Sequence, residues 1–295
     1  MTRFIERVLI PTDDSEGALS GARRGIALAS RTDARVFVFS VVSVPDGRAD
    51  LDDAAIASLE SRAEDAVETV ANMARDYDEG IDVTTAVERG TPFQAVREYA
   101  HRHEIDVIAM GTKGRTGLDR FLLGSVTENV LRTARVPVLA VPPDADEPGI
   151  ADVTFDRLLL PTDGSEGAEI AAEWGVALAD HLGSDVHSLY AVDPAPPHHE
   201  PDAVIEALER RADAAIEATS ERADAVDVAV TESIETGSPA NAILAYASDH
   251  EADLIVMGTH GRTGVGQWFL GSITENVVRG ADVPVLCVPV TASSP

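Results

Sequence analysis

The stretch "IDVIAMGTKGRTG" at 105–117 runs from an apolar segment into a glycine-rich turn, and "ADLIVMGTHGRTG" at 252–264 repeats it. A second pair follows the same pattern, because "RVLIPTDDSEGA" at 7–18 matches "RLLLPTDGSEGA" at 157–168. The matched stretches keep their order along the chain. The sequence therefore predicts two copies of one structural unit.

The length of the chain agrees with this duplication. The sequence has 295 residues, and single cores commonly belong to domains of about 100–150 residues. We predict one domain at 1–143 and another at 154–292. The segment "PDADEPGIADVT" at 143–154 is acidic, contains Pro and Gly and has no apolar periodicity, so it is predicted to be the linker.

Short apolar runs alternate with longer helical patterns inside each copy. In the first copy, strands are predicted at 7–11, 35–42, 81–87, 105–110 and 136–141, and helices around 15–30, 52–77, 92–102 and 125–134. The near-continuous Val, Ile and Leu content is typical of parallel strands that are buried on both faces. The predicted fold class is α/β: two tandem five-stranded parallel-sheet sandwiches, Rossmann-like and of the adenine nucleotide alpha hydrolase-like kind.

Such a sheet binds ligands at the carboxyl ends of its strands, where the strand order reverses. "PTD" at 11–13 and "MGT" at 110–112 both lie at such ends. If the first and fourth strands are neighbours, these two segments face one another. This edge of the sheet is therefore the predicted binding crevice.

The net charge of −28 limits the kinds of partner. A surface of that sign repels phosphate backbones, so general binding to nucleic acid or an anionic membrane is not expected. The composition resembles that of proteins from salt-accumulating halophiles. The start of the chain lacks signal-peptide zones, which predicts a cytoplasmic protein. The single cysteine, Cys287, lies in the apolar run "VPVLCVP" and is interpreted as a buried strand residue.

The glycine-rich stretch has two interpretations. Its spacing is G-x2-G-x9-G-S in both copies, starting at Gly111 and at Gly258. Glycines allow positive φ and a close approach of the main chain to a ligand, and amides at a helix start receive phosphate oxygens. Alternatively, "SVTE" and "SITE" are capping boxes with only a structural role. The spacing alone leaves both an anion site and a structural loop open.

These motifs together resemble the universal stress protein family. "PTDxS" after the first strand, "MGTxGRTG" after the fourth, the glycine spacing and a closing "VPVLxVP" occur in both halves, so the resemblance covers essentially the whole chain as a tandem protein. The glycine spacing is the mark of the family's ATP-binding branch. The resemblance therefore implies an adenine nucleotide, ATP or AMP/ADP with Mg²⁺, in each half.

The resemblance also implies the residues of each site. In the first half they are Pro11, Thr12, Asp13, Val41, Met110, Gly111, Gly114, Arg115, Gly124, Ser125 and Val126. In the second half they are Pro161, Thr162, Asp163, Ala191, Met257, Gly258, Gly261, Arg262, Gly271, Ser272 and Ile273. Ala191 replaces a valine and His260 replaces Lys113, so the two sites are expected to differ in affinity. Asp13 and Asp163 also have an alternative interpretation, as turn or helix-cap carboxylates.

Three functions remain open from the sequence. The first is a nucleotide-binding module of a stress response or signalling protein, and the second is a slow ATPase or phosphotransferase that uses the same sites. The third is a nucleotide-free structural dimer with relic sites. The family dimerises through its last strand, so 136–141 and 283–288 are predicted to pair as an internal pseudo-dimer. Whole chains are further predicted to be able to form a homodimer. The metal-binding candidates are weak: "HRH" at 101–103 lies near a helix end, where a positive imidazole favours the dipole, and "PPHHEPD" at 196–202 is interpreted as a solvated loop.

Overall fold

The computed structural model describes residues 4–43, 53–113, 123–143, 149–192, 202–261 and 270–295, with only the backbone for 202–209. Two compact units divide the chain, Met1–Val153 and Thr154–Pro295. The described end of the predicted linker, from Gly149, contacts the first unit. A single 3-10 turn at Ile150–Asp152 packs against the first helix of the first unit, and Arg31 Nη2 donates to the carbonyl oxygen of Val153 at 2.6 Å.

The described part of the first unit is a five-stranded parallel sheet with helical connections. Its strands are β1 (Arg7–Pro11), β2 (Arg35–Val42), β3 (Val83–Arg89), β4 (Val107–Gly111) and β5 (Val138–Val141), in the order β3-β2-β1-β4-β5. The helices are α1 (Glu16–Thr32), α2 (Asp53–Tyr77), α3 (Pro92–Arg102) and α4 (Ser125–Thr133).

The described part of the second unit repeats this topology. Its strands are β6 (Arg157–Thr162), β7 (Asp185–Val192), β8 (Val230–Thr236), β9 (Leu254–Gly258) and β10 (Val285–Val288), in the order β10-β9-β6-β7-β8. The helices are α5 (Glu166–Leu182), α6 (Asp202–Asp224), α7 (Pro239–Asp249) and α8 (Ser272–Gly280). The predicted fold class is confirmed in both units.

Helices cover both faces of each sheet. Successive strand residues point to opposite faces, so Phe39 of β2 stacks on Tyr99 of α3 while its neighbour Ser40 lies on the face covered by α2. On that second face, α1 packs along β1 and β4. The two-sided cover explains why the central strands β1 and β4 are rich in buried Val, Leu and Ile.

One expectation about the strands is wrong. Burial on both faces holds for β1, β4 and most of β2, but β3 and β8 carry several exposed residues. Both strands lie at the end of their unit's sheet, and their sequences, "VTTAVER" and "VTESIET", are correspondingly polar. A strand at the end of a sheet has a neighbour on one side only, which leaves part of its length open to solvent.

Candidate functional site

The predicted crevice lies where β1 and β4 end side by side. The two strands pair in parallel with Val8 opposite Val107 and Leu9 opposite Ile108, so they are neighbours, as predicted. The equivalent strands β6 and β9 also pair, with Leu158 opposite Leu254. The turn after β1 and the turn after β4 are therefore brought together at one edge.

The turn after β1 is held by its own side chains. Asp13 Oδ1 accepts hydrogen bonds from the amide of Ser15 at 3.2 Å and from its hydroxyl at 2.6 Å. The Ser15 hydroxyl in turn accepts from the amide of Ala18 and caps α1. In the second unit, Asp163 Oδ1 accepts from the Ser165 amide at 3.0 Å. The alternative interpretation of the two aspartates as turn carboxylates is thus supported, and it leaves a ligand role compatible.

A cavity of about 400 Å³ opens at this edge of the first unit. Its volume falls within the range of roughly 300–1,000 Å³ that is usual for small-molecule sites. Nine of the predicted residues line it: Pro11, Thr12, Asp13, Val41, Met110, Gly111, Gly124, Ser125 and Val126. The other two, Gly114 and Arg115, lie outside the described residues.

The sequence did not reveal that α2 and α3 form walls of this cavity. Leu59, Arg62, Ala63 and Ala66 line it from α2, and Pro92 and Val96 line it from α3. The sequence of α2 was interpreted as a solvated acidic face, and its exposed side does match that description. The missed signal is the alanine spacing on the opposite face of the helix, where small side chains leave room beneath the helix.

The amino end of α4 faces the cavity without a side-chain cap. The capping-box interpretation is wrong, because the N-cap is Gly124, no side chain caps this end in the described structure, and Ser125 is the first helical residue. Glu128 instead pairs with Arg132 at 2.7 Å, one turn along the helix. The first intrahelical bond runs from the Glu128 amide to Gly124. The amides of the first helical turn therefore have no acceptor inside the helix.

Two bonds fix this helix end relative to β4. The Gly124 amide donates to the carbonyl oxygen of Thr112 at 2.7 Å, and Thr127 Oγ1 donates to that of Gly111 at 2.8 Å. The second unit repeats both bonds with Gly271 to Thr259 and Thr274 to Gly258, each at 2.8 Å. The start of α4 and that of α8 are thus held in the same way over the end of a central strand.

The first glycine of the motif serves packing between a helix and a strand. A Cβ on Gly111 would lie 1.9 Å from the carbonyl oxygen of Gly17 in α1, and a Cβ on Gly258 would lie 2.5 Å from that of Gly167 in α5. The expected positive φ is not found at the described motif glycines; Gly124, for example, has φ −63°. The close approach that these first glycines permit is to a helix backbone.

The second unit places its predicted residues at the corresponding edge but surrounds them differently. Pro161 and Thr162 end β6 and Asp163 follows it, and a Cβ on Gly261 would lie 3.2 Å from Asp163 Oδ2. The remaining described residues of this set are Ala191, Met257, Gly258, Gly271, Ser272 and Ile273; Arg262 lies outside the described residues. A cavity of about 160 Å³ lies between α5 and α6, and Thr162 is the predicted residue among its lining.

The other candidate residues are structural in the described parts of the chain. Cys287 is fully buried, and burial raises the pKa of its thiol to about 12, which confirms it as a buried strand residue. His103 stacks on Tyr99 with ring centroids 4.1 Å apart. No described cluster of three His, Cys, Asp or Glu side chains is suited to a metal ion, and the stretch 196–201 lies outside the described residues. Among the described helices, none has the length and apolar character needed to cross a bilayer.

Comparison with known proteins agrees with the duplicated sheet and its glycine turns. The model of the universal stress protein family matches residues 5–142 and again residues 154–289. The chain belongs to the universal stress protein family. It carries the family's domain twice, in tandem, as its motifs predict.

Individual family members match one or both units. A universal stress protein of Methanocaldococcus jannaschii is 35% identical over 143 residues, which are 46% of this chain and 81% of that protein. A Mycobacterium bovis member is 26% identical over 219 residues, covering 74% of this chain and 72% of its own. The crystal structure of a family member from Archaeoglobus fulgidus covers 96% of both chains with a TM-score of 0.72 and 26% identity.

Proposed function

We propose that the chain is an adenine-nucleotide-binding module of a stress-response or signalling protein. The ligand is ATP, ADP or AMP. The observation that carries the proposal is the cavity of the first unit, where nine of the residues implied by the family resemblance meet in one space of about 400 Å³. Binding would change the conformation or the choice of partner.

The walls of the cavity match the two ends of a nucleotide. Apolar side chains of Phe39, Val41, Leu59 and Val96 offer contacts to a flat base. At the other side stand the start of α4 and its uncapped first turn, with Ser125 and Val126 in the lining. Backbone amides at a helix start, together with the helix dipole, favour phosphate oxygens.

Two cations support an anionic ligand in a protein of net charge −28. Lys113, the sole lysine of the sequence, and Arg62 of α2 both line the cavity. Positive side chains bind phosphate through charge-assisted hydrogen bonds, which are stronger than bonds between neutral groups. Their position at a shared cavity, in an otherwise acidic chain, is what a phosphate-bearing ligand requires.

The sequence also predicts a site in the other repeat, at the end of β6 and the start of α8, because the same motif recurs there. We propose Mg²⁺ as the companion of ATP, held mainly by the phosphates themselves, as is common for this ion. The pairing of 136–141 with 283–288, a homodimer of chains and a cytoplasmic location remain predictions from the sequence and the family resemblance.

Binding is favoured over turnover by the role of Asp13. This carboxylate lines the cavity, but its Oδ1 holds the turn through Ser15. Phosphoryl transfer needs a group that positions the attacking nucleophile at the terminal phosphate. Slow ATP hydrolysis or phosphotransfer at the same site is the alternative, and phosphate release measured beside binding separates the two.

The proposal is tested by calorimetric titration of the whole chain with ATP, ADP and AMP in molar KCl. We expect saturable binding. Lys113→Met combined with Arg62→Met should lower the affinity for ATP at least about tenfold, because two charged contacts are lost. The double substitution should lower the affinity for AMP less than the affinity for ATP, since AMP has fewer phosphate oxygens to contact the two cations.

Arg102→Met is the matched control, because Arg102 lies on α3, pairs with Glu88 at 2.6 Å and is absent from the lining. It should leave the affinity unchanged. Absence of affinity for all three nucleotides in the wild-type chain, together with no nucleotide in an acid extract, would show the relic-site alternative to be correct. Sustained phosphate release that depends on Lys113 would favour the enzyme.

A further inference from the structure

Ser40 in the first unit and Tyr190 in the second occupy the same position of the fold. Strand β2 pairs with β1 so that Phe39 lies opposite Pro11, and β7 pairs with β6 so that Leu189 lies opposite Pro161. The next residue along each strand is Ser40 or Tyr190. Both point to the sheet face that α2 or α6 covers, and both are buried.

The helices above these residues also correspond. Helix α2 begins at Asp53 and α6 begins at Asp202. Counted from these starts, Ala63 and Ala66 in the first unit match Ala212 and Ala215 in the second. All four alanines are buried. Each unit therefore builds the same wall from small residues on one face of its second helix.

The two units fill the space under this wall differently. In the first unit, Ser40, Val42, Ala63 and Ala66 all line the cavity. In the second unit, Tyr190 is only 5% exposed and packs in one cluster with Ala212, Ala215 and Ile216, against which Val192 also packs. Val192 is the counterpart of Val42. The tyrosine ring thus stands in the volume that the first unit leaves open.

We propose that Tyr190 closes the second unit to adenine nucleotides, whereas Ser40 keeps the first unit open, so that each chain binds one nucleotide. This inference rests on the proposed function of the first unit's cavity. The closed side is the base side, because the start of the fourth helix is held alike in both units: Gly124 and Gly271 make the same amide bond to the end of the central strand. Tyr190 is thus a residue that determines specificity.

Entry of a nucleotide into the second unit would require the ring to leave its packing. A buried aromatic side chain contributes a large apolar contact area, and its displacement would expose that area together with the alanine wall. The cavity of about 160 Å³ that remains beside α6 is smaller than the sites that hold drug-sized ligands, roughly 300–1,000 Å³. The second unit accordingly discriminates against the base.

The test exchanges the two side chains and counts bound nucleotide. Calorimetric titration with ATP in molar KCl should give one nucleotide per wild-type chain and two for Tyr190→Ser. Ser40→Tyr should lower the affinity for ATP by at least about a hundredfold, because the ring fills the open cavity. The combined exchange Ser40→Tyr and Tyr190→Ser should restore one site, which a photoreactive azido-ATP would label in peptides of the second unit.

Tyr190→Phe is the matched control, because it keeps the ring and should leave one nucleotide per chain. Two nucleotides per wild-type chain would overturn the role of Tyr190 and leave the proposed function standing. So would unchanged ATP affinity in a folded Ser40→Tyr variant, a result that does not depend on whether Tyr190→Ser folds. Absence of binding in the wild type and in every variant would overturn the proposed function and this inference together.

Discussion

The first unit groups the rings of Phe37, Tyr99 and His103 between β2 and α3, whereas the second unit groups those of His187, Tyr246 and His250 between β7 and α7. The tyrosine and the histidine after it have nearly the same geometry in both units, with ring centroids 4.1 Å and 3.8 Å apart. The third ring has changed its chemistry. Phe37 makes only ring contacts, while His187 Nδ1 also lies 2.9 Å from the Tyr246 hydroxyl.

This difference teaches that the fold fixes the shape of a residue at a given position more tightly than its polarity. Phe37 and His187 both place a flat ring at the same position of the fold, and Ala63 and Ala212 both place a small residue on the second helix. Side-chain size does differ between Ser40 and Tyr190, and there the first unit has a cavity where the second has a packed cluster. Paired substitutions at equivalent positions can therefore test which features belong to the fold and which to one unit.

The largest effect is expected where both units need a glycine. Gly111→Ala should lower the free energy of unfolding by about 3 kcal/mol, because its Cβ would meet the backbone carbonyl of Gly17, which no rotamer change can move. Gly258→Ala should lower the free energy of unfolding by less, since its Cβ would lie 2.5 Å rather than 1.9 Å from the nearest carbonyl oxygen. Denaturant unfolding in molar KCl measures both.

Gly80→Ala is the control for this pair, because the nearest atom to its Cβ is a carboxylate oxygen of Asp78, 3.2 Å away on a side chain. It should change the free energy of unfolding by less than about 1 kcal/mol. Wild-type stability for Gly111→Ala would mean that α1 does not pack on β4 as closely as described.

A smaller effect is expected from pH at His187 in the second unit. Burial, Arg157 and His250 lower the pKa of His187, while Asp185 opposes them. The unfolded chain therefore binds a proton more readily than the folded one, and this contribution to stability is present above the ordinary pKa of about 6.5 and is lost as the pH falls below it.

His187→Phe copies the first unit and should remove that part of the pH dependence. Unfolding free energies at several pH values from 7.5 to 5 would show a smaller loss on acidification for this variant than for the wild type. The converse change, Phe37→His, should introduce a similar loss. Identical pH profiles for His187→Phe and the wild type would exclude His187 as the group responsible.

The smallest effect concerns the ion pair near the start of the fourth helix in each unit. Glu128 pairs with Arg132, and Glu275 with Arg279, both at 2.7 Å and one turn apart. Glu128→Gln and Glu275→Gln should each lower the free energy of unfolding by about 0.3–0.5 kcal/mol at low salt. In molar salt, where screening acts over about 3 Å, both losses should vanish. A loss that persists in molar salt would point to a role for the carboxylate beyond pairing.

Much of the fold could be predicted because each strand is a distinct apolar run. The run at 105–110 became β4 with small shifts at its ends, and β5 begins two residues after the start of the run at 136–141, where Pro137 has no amide to donate to a strand partner. The run at 81–87 was predicted as a strand and became β3 with a shift of two residues, but its exposure was not predicted, because the position of a strand in the sheet is a property of topology.

The site was only partly predictable, for two physical reasons. The pattern Ser-x-x-Glu is the same whether the serine is the N-cap or the first helical residue, and the hydrogen bonding of Gly124 decides between them. Residues from α2 were missed because their spacing from the motif varies between the copies. The sequence does not single out Tyr190, because the family resemblance concerns its neighbour Ala191, which points to the opposite face of the sheet.

The bond from Arg31 to the Val153 carbonyl has a practical consequence for dissecting the protein. A first half that stops at residue 143 would lose this acceptor and the 3-10 turn that packs on α1. The boundary that respects the contacts falls between Val153 and Thr154. An amino-terminal fragment that ends at Val153 would keep the Arg31 hydrogen bond and the 3-10 turn. It would therefore be suited to measuring the stability and nucleotide binding of one repeat alone.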